Sequence, residues 1–198
     1  MLVIACNTAT ALAFDDIRAA VSVPVVGVVE PGSQRAAQAS KTRKVAVIAT
    51  DATISSHAYR RALTRLGLEA TEKACPLFVP LIEEGWVDHP VTERVAHIYM
   101  DEIFRDGAHN ADVLVLGCTH YPLIRPLLRR VVSPQVEIVD SAESTAAEVA
   151  CLLGKDCGQS GSGSLRCYAT DSVEKFRRLG GPFLGHLIED IELIDIEK

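Results

Sequence analysis

Short aliphatic runs recur along the chain, each followed by a polar or glycine-containing turn and then by apolar positions at helical spacing. Residues 2–5, 25–29, 45–49, 113–116 and 136–139 are such runs, rich in Val, Ile and Leu, and they predict buried strands. Stretches at 68–74 and 165–169 predict two more, and 188–196, where isoleucine and leucine alternate with acids, predicts a half-buried one. The intervening segments read as helices. One follows Thr8 or Thr10, either of which can cap it, to about Val21, and another starts at Glu30-Pro31, with proline at a tolerated first position. Residues 50–56 supply cap hydroxyls for a helix ending near Gly67, and Asp88-His89-Pro90 opens a longer one to about residue 106 with Val91, Val95, Ile98 and Phe104 as its core stripe. Further helices hold Leu123, Leu127, Leu128 and Val131, run from a Ser141 cap to Leu153, and begin near Asp171. Pro76 and Pro80 predict irregular backbone over 75–80, and the Gly/Ser run at 158–164 predicts a flexible loop.

Strands alternating with helices throughout predict an α/β fold with mainly parallel sheets and helices on both faces. In such sheets ligands gather beyond the carboxyl ends of the strands. The first aliphatic run reads as a central strand, yet Met1 stands directly before it, so one or more preceding βα units are expected to be absent.

Composition narrows the class. The chain has 198 residues, 48% of them hydrophobic, enough for a sizeable core. A net charge of −6 without a basic face argues against nucleic acid as a partner. No apolar run has the length of a membrane span and nothing at the start resembles a signal peptide, so no membrane partner is expected. The six cysteines lack the spacing of a small disulfide-framed domain, which favours reduced thiols and a soluble cytoplasmic enzyme.

Two of those cysteines repeat one pattern. Leu2-Val3-Ile4-Ala5-Cys6-Asn7-Thr8 and Leu114-Val115-Leu116-Gly117-Cys118-Thr119-His120 each run an aliphatic strand into a small residue, a cysteine, polar residues and a helix start. A helix amino terminus stabilises a thiolate and lowers its pKa from about 8.5. His120 is placed to act as a proton partner of Cys118. One such cysteine alone would read as a small buried hydrophobe; two in matched modules point to function. Neither belongs to a close-spaced ligand pair, so no metal is expected, and a redox pair would more often be CxxC. Acid–base work on both faces of one carbon remains. Cys75 beside Pro76 reads as packing, and Cys151, Cys157 and Cys167 fit no zinc spacing. The remaining histidines, His57, His89, His97, His109 and His186, read as surface or cap residues.

Ala5-Cys6-Asn7-Thr8-Ala9, Pro80-Leu81-Ile82-Glu83 and Gly117-Cys118-Thr119-His120-Tyr121-Pro122 together resemble glutamate racemase, of the aspartate/glutamate racemase superfamily. Thr50 and Thr53-Ile54 before Ala58-Tyr59, and Phe183-Leu184-Gly185 near the end, resemble the same family. The resemblance implies two similar lobes with the active site in the cleft, the first formed by residues 1–30 plus 141–198 and the second by 31–140. It implies a cofactor-independent racemase that interconverts L- and D-glutamate, supplies D-glutamate for peptidoglycan and is compatible with a homodimer. Cys6 and Cys118 would be the paired acid and base, with His120 tuning Cys118 and Glu83 supporting it. Asn7, Thr8, Thr119 and His120 would hold the substrate, and Thr50 and Thr53 would contact it more loosely. The family also begins with an Asp-Ser-Gly strand-loop and a Tyr-Gly segment, and this chain has neither ahead of Cys6. Two alternatives stay beside this reading: another two-thiol racemase, acting on aspartate or hydantoins, and a truncated, non-catalytic glutamate-binding protein.

Overall fold

The computed structural model describes residues 1–154 and 164–196. The chain forms two compact units, Met1–Gly154 and Lys155–Lys198. Every strand pairing among the described residues is parallel, as the alternation of strand and helix requires.

In the first unit, β1 (Leu2–Ile4) pairs with β2 (Val25–Gly27), and α1 (Asn7–Ala20) connects them. After α2 (Val29–Ala39) comes a four-stranded sheet of order β4-β3-β5-β6, made of β3 (Lys44–Ala49), β4 (Glu69–Ala74), β5 (Val113–Gly117) and β6 (Glu137–Asp140). Its connections are α3 (Asp51–Ser55) with α4 (Ala58–Arg65), α5 (Phe78–Glu83) with α6 (Pro90–Asp106), and a 3₁₀ turn (Tyr121–Ile124) with α7 (Arg125–Val131). The unit closes with α8 (Ala142–Leu153).

The central strands explain their unbroken apolar sequence. Successive side chains point to opposite faces, so Val45, Val47, Val113 and Val115 pack with Val29, Ala36, Tyr59, Ala62 and Leu63, on α2 and α4. Ala46, Ile48, Leu114 and Leu116 pack on the other face with α5, α6 and α7 through Phe78, Ile82, Met100, Ile103, Leu127 and Leu128. Phe78 meets the ring edges of Tyr99 and Tyr121 at centroid distances of 5.2 and 5.3 Å. At the amino-terminal edge of the sheet, Asp112 accepts hydrogen bonds from Ser40 Oγ, the Lys41 and Thr42 amides and Thr42 Oγ1. That carboxylate ties the α2–β3 link to the start of β5.

Several local expectations change. Cys6, not Thr8 or Thr10, caps α1: its Sγ accepts from the Ala9 amide at 3.5 Å. Thr10 instead bridges the first sheet, donating to the Ile4 carbonyl and accepting from the Val28 amide. The helix expected after Thr50 divides in two because His57 adopts a left-handed conformation, φ 53°, with its Nδ1 2.9 Å from the buried Glu72 carboxylate. Pro80 lies inside α5 rather than excluding it, since a first-turn residue has no intrahelical N–H bond to lose. The buried stripe of α6 is Ala96, Tyr99, Met100 and Ile103, while Val91 and Ile98 are exposed. Ser141 makes no side-chain cap bond, and Asp140 Oδ1 accepts from the Ala142 amide instead. β1 has β2 as its only strand partner among the described residues, and Leu2 and Val3 are exposed.

The second unit pairs β7 (Cys167–Ala169) with β8 (Ile191–Leu193), joined through α9 (Val173–Leu184). Ser172 Oγ caps α9 by accepting from the Lys175 amide, and Arg177 Nε donates to the Ile188 carbonyl. The Gly/Ser loop expected at 158–164 lies outside the described residues except for Ser164, as does Cys157.

Candidate active site

The predicted site residues of the second cysteine module gather at the carboxyl edge of the four-stranded sheet. Gly117 ends β5 in register with Ala49, the last residue of β3. A Cβ at Gly117 would lie 3.0 Å from Tyr59 Cε2, 3.1 Å from Ala49 Cβ and 3.1 Å from the Ile48 carbonyl, so the close approach requires glycine. Cys118 follows and is 7% exposed. Its Sγ lies 3.9 Å from His120 Nδ1, and His120 Nε2 lies 3.3 Å from Glu83 Oε1. The sequence thus folds into a thiol–imidazole–carboxylate relay, with Glu83 supplied by the last residue of α5.

Burial pushes the Cys118 thiol up to about 11; the amides of His120 and Tyr121 offset part of that, and the nearby charge of Cys6 adds to it. A lowered value was expected from a helix amino terminus, but a 3₁₀ turn of four residues follows here, and desolvation dominates. Cys118 therefore holds its proton at neutral pH and is ready to give it. Forming its thiolate needs compensation beyond the two amides, and His120 beside it is placed to supply that.

The first module faces the same region. Cys6 is exposed at the amino terminus of α1. Asn7 is 2% exposed; its Oδ1 accepts from the Tyr59 hydroxyl at 2.6 Å, while its Nδ2 is buried without a hydrogen-bond partner. Thr8, Thr50 and Thr53 form a triangle of hydroxyls with separations of 2.9, 2.9 and 3.0 Å, joining the first turn of α1 to that of α3. Thr119 is half-buried between Cys118 and His120. All of these residues belong to the first unit. Two side chains absent from the sequence-derived set, Tyr59 and Ser141, also reach the site: the Ser141 hydroxyl bears on the Tyr59 oxygen that bonds Asn7.

Among the described residues no group of three or more His, Cys, Asp and Glu side chains could hold a metal ion. A separate hollow of about 830 Å³ at the opposite edge, lined by Asp101, Phe104, His109 and Asp112 among others, contains none of the predicted site residues.

In the first unit a thiol thus stands just beyond the carboxyl end of a strand in each of two parallel sheets, an arrangement that belongs to a parallel α/β class of protein. Residues 1–149 match the family described as Asp/Glu/Hydantoin racemase, and the chain belongs to that family. It is 56% identical to the glutamate racemase of Koribacter versatilis, over 98% of this chain and 75% of that protein. It is 42% identical to the glutamate racemase of Geobacter metallireducens, over 100% of this chain and 74% of that one. The crystal structure of the Francisella tularensis glutamate racemase in complex with D-glutamate superposes with a TM-score of 0.87 at 33% identity, covering 98% of this chain and 72% of that chain.

Proposed function

We propose that this chain is a glutamate racemase that moves the Cα proton between Cys6 and Cys118. The observation that carries the reading is the pair of strand-end thiols, near enough that the charge of one raises the pKa of the other. One cysteine, as thiolate, takes the Cα proton and becomes a thiol. The planar carbanion that results receives a proton on its other face from the second cysteine, which becomes the thiolate. Proton and charge balance, and no cofactor enters. His120, held by Glu83, stabilises Cys118 whenever that sulfur is the thiolate. Asn7, Thr8 and Thr119 hold the amino and carboxylate groups, with Thr50 and Thr53 behind Thr8. Cys6 falls in the first of the two expected lobes and Cys118 in the second.

Glutamate as substrate is supported by the names of the relatives and by the D-glutamate complex of the neighbouring structure. A supply of D-glutamate for peptidoglycan follows from that activity. Among the described residues no helix is long and apolar enough to cross a membrane. We place the protein in the cytoplasm, where its thiols stay reduced, and expect a homodimer, which sedimentation velocity will read.

The experiment follows the circular dichroism of L-glutamate with time, together with deuterium entry at Cα in heavy water. Decay of the signal to zero with one deuterium per turnover is expected, and each of Cys6→Ser and Cys118→Ser should abolish it. A folded protein that leaves the signal unchanged is a binding protein instead. Exchange of aspartate but not of glutamate would reassign the substrate.

A further inference from the structure

Tyr59 is among the largest fully buried side chains, and it touches both halves of the candidate site. Its hydroxyl bonds Asn7, the neighbour of Cys6, and its ring edge occupies the space that a side chain at Gly117, the neighbour of Cys118, would need. A Cβ at Gly32 would come within 3.5 Å of the same oxygen, so that oxygen is closed in by α2 as well as by Ser141.

The direction of the Tyr59 hydrogen bond decides what this contact does. Burial raises the Tyr59 pKa, with the Ser141 hydroxyl pulling the other way, so the phenol stays neutral at working pH and has one proton to donate. The hydroxyl donates to Asn7 Oδ1, which leaves the NH2 group on the other side of the amide. The NH2 group is buried and unpartnered, an arrangement that is costly unless an acceptor arrives.

We infer that Tyr59 is a positioning residue: its hydroxyl locks the Asn7 amide so that Nδ2 is presented as a donor to a carboxylate of the bound amino acid. This rests on the racemase reading for the identity of that amino acid. Tyr59 itself touches no reacting atom. Its ring also fixes the spacing between the Cys6–Asn7 turn and the Gly117–Cys118 turn.

The test is steady-state kinetics of Tyr59→Phe, which keeps the ring and removes the donor. KM for L-glutamate should rise roughly tenfold with kcat changed less than about threefold, as for loss of a contact made equally in ground and transition states. In an Asn7→Ala background the same change should have no further effect on KM, because the residue through which Tyr59 acts is gone. Tyr99→Phe is the control: it also removes a buried hydroxyl, which accepts from the Leu77 amide at 3.3 Å, and should leave KM unchanged. Independently of any variant, the nitrogen-15 side-chain signals of Asn7 in the wild-type chain should shift and gain exchange protection on titration with L-glutamate.

An unchanged KM in Tyr59→Phe, additive effects in the double variant, or Asn7 signals indifferent to glutamate would each overturn the inference. If the wild-type chain binds glutamate through Asn7 without exchanging its Cα proton, the racemase reading fails. The role of Tyr59 is then decided by the same comparison of variants, read as dissociation constants.

Discussion

Cys118 is a nearly buried thiol whose proton is held by desolvation, and this has a direct chemical readout. With its pKa pushed up to about 11, its alkylation by iodoacetamide should quicken about tenfold per pH unit from neutrality and level off near that value, while the exposed Cys6 is labelled without needing the fold to open. Mass spectrometry of peptides from timed reactions checks this. Glu83 reaches Cys118 through His120, so Glu83→Gln should lower kcat/KM by about 10- to 100-fold, a modest acid–base effect, and leave the thermal midpoint nearly unchanged. The two cysteines and His120 are legible in the sequence because each lies within three residues of the end of an aliphatic strand. Glu83 is visible only through family resemblance, since Glu83-Glu84 alone reads as a solvated turn. Tyr59 and Asn7 are 52 positions apart, and no local pattern announces a hydrogen bond at that separation.

At the scale of elements, the close contact of β5 with α4 and the staple at the base of the sheet carry separate loads. Gly117→Ala forces a methyl group against Tyr59, Ala49 and the Ile48 carbonyl, which should cost about 1–3 kcal/mol and lower activity by displacing Cys118. Urea denaturation with an activity assay on the same samples separates the two effects. Burial opposes the charge on Asp112, but hydrogen bonds from Ser40, Thr42 and Lys41 outweigh it and hold the carboxyl down at about 2. The stability it contributes is present above its unfolded pKa of about 3.9 and is lost as the pH falls towards 2. Asp112→Ala should therefore lose about 1–3 kcal/mol at neutral pH and show a shallower acid transition by circular dichroism. Strands and their order of succession are legible because both faces of β3 and β5 are buried. The split between α3 and α4 is not, because a left-handed His57 is chosen by its bond to Glu72 on a different element. The α6 stripe slips because every candidate position is apolar and only the packing partners decide which face turns inward.

For the molecule as a whole, five buried acids among the described residues, Tyr59, Cys75, Tyr99, Cys118 and Tyr121, have pKa values raised by burial. A raised folded-state value means that stability is intact below the unfolded pKa and is lost as the pH rises. For Cys118 that window runs from about 8.5, the value of a free thiol, up to about 11. The urea midpoint should fall steeply across this range, and Cys118→Ser should reduce the slope by up to about 1.4 kcal/mol per pH unit, one proton's worth. The parallel α/β architecture is legible from the alternation of strands and helices. The partition into Met1–Gly154 and Lys155–Lys198 is not, because it depends on long-range contacts.

The two thiols are unequally housed, one exposed at a helix cap and the other nearly enclosed. The two forms of glutamate are mirror images and have the same free energy in water. Whatever preference the protein's handed interior creates must vanish from the final mixture, so kcat/KM has to be equal in the two directions at every pH. The difference in housing can appear only at saturation: if one enantiomer turns over several times faster, its KM must be larger by the same factor. Progress curves started from pure L- and pure D-glutamate will show how unevenly the chain treats two substrates between which it cannot choose.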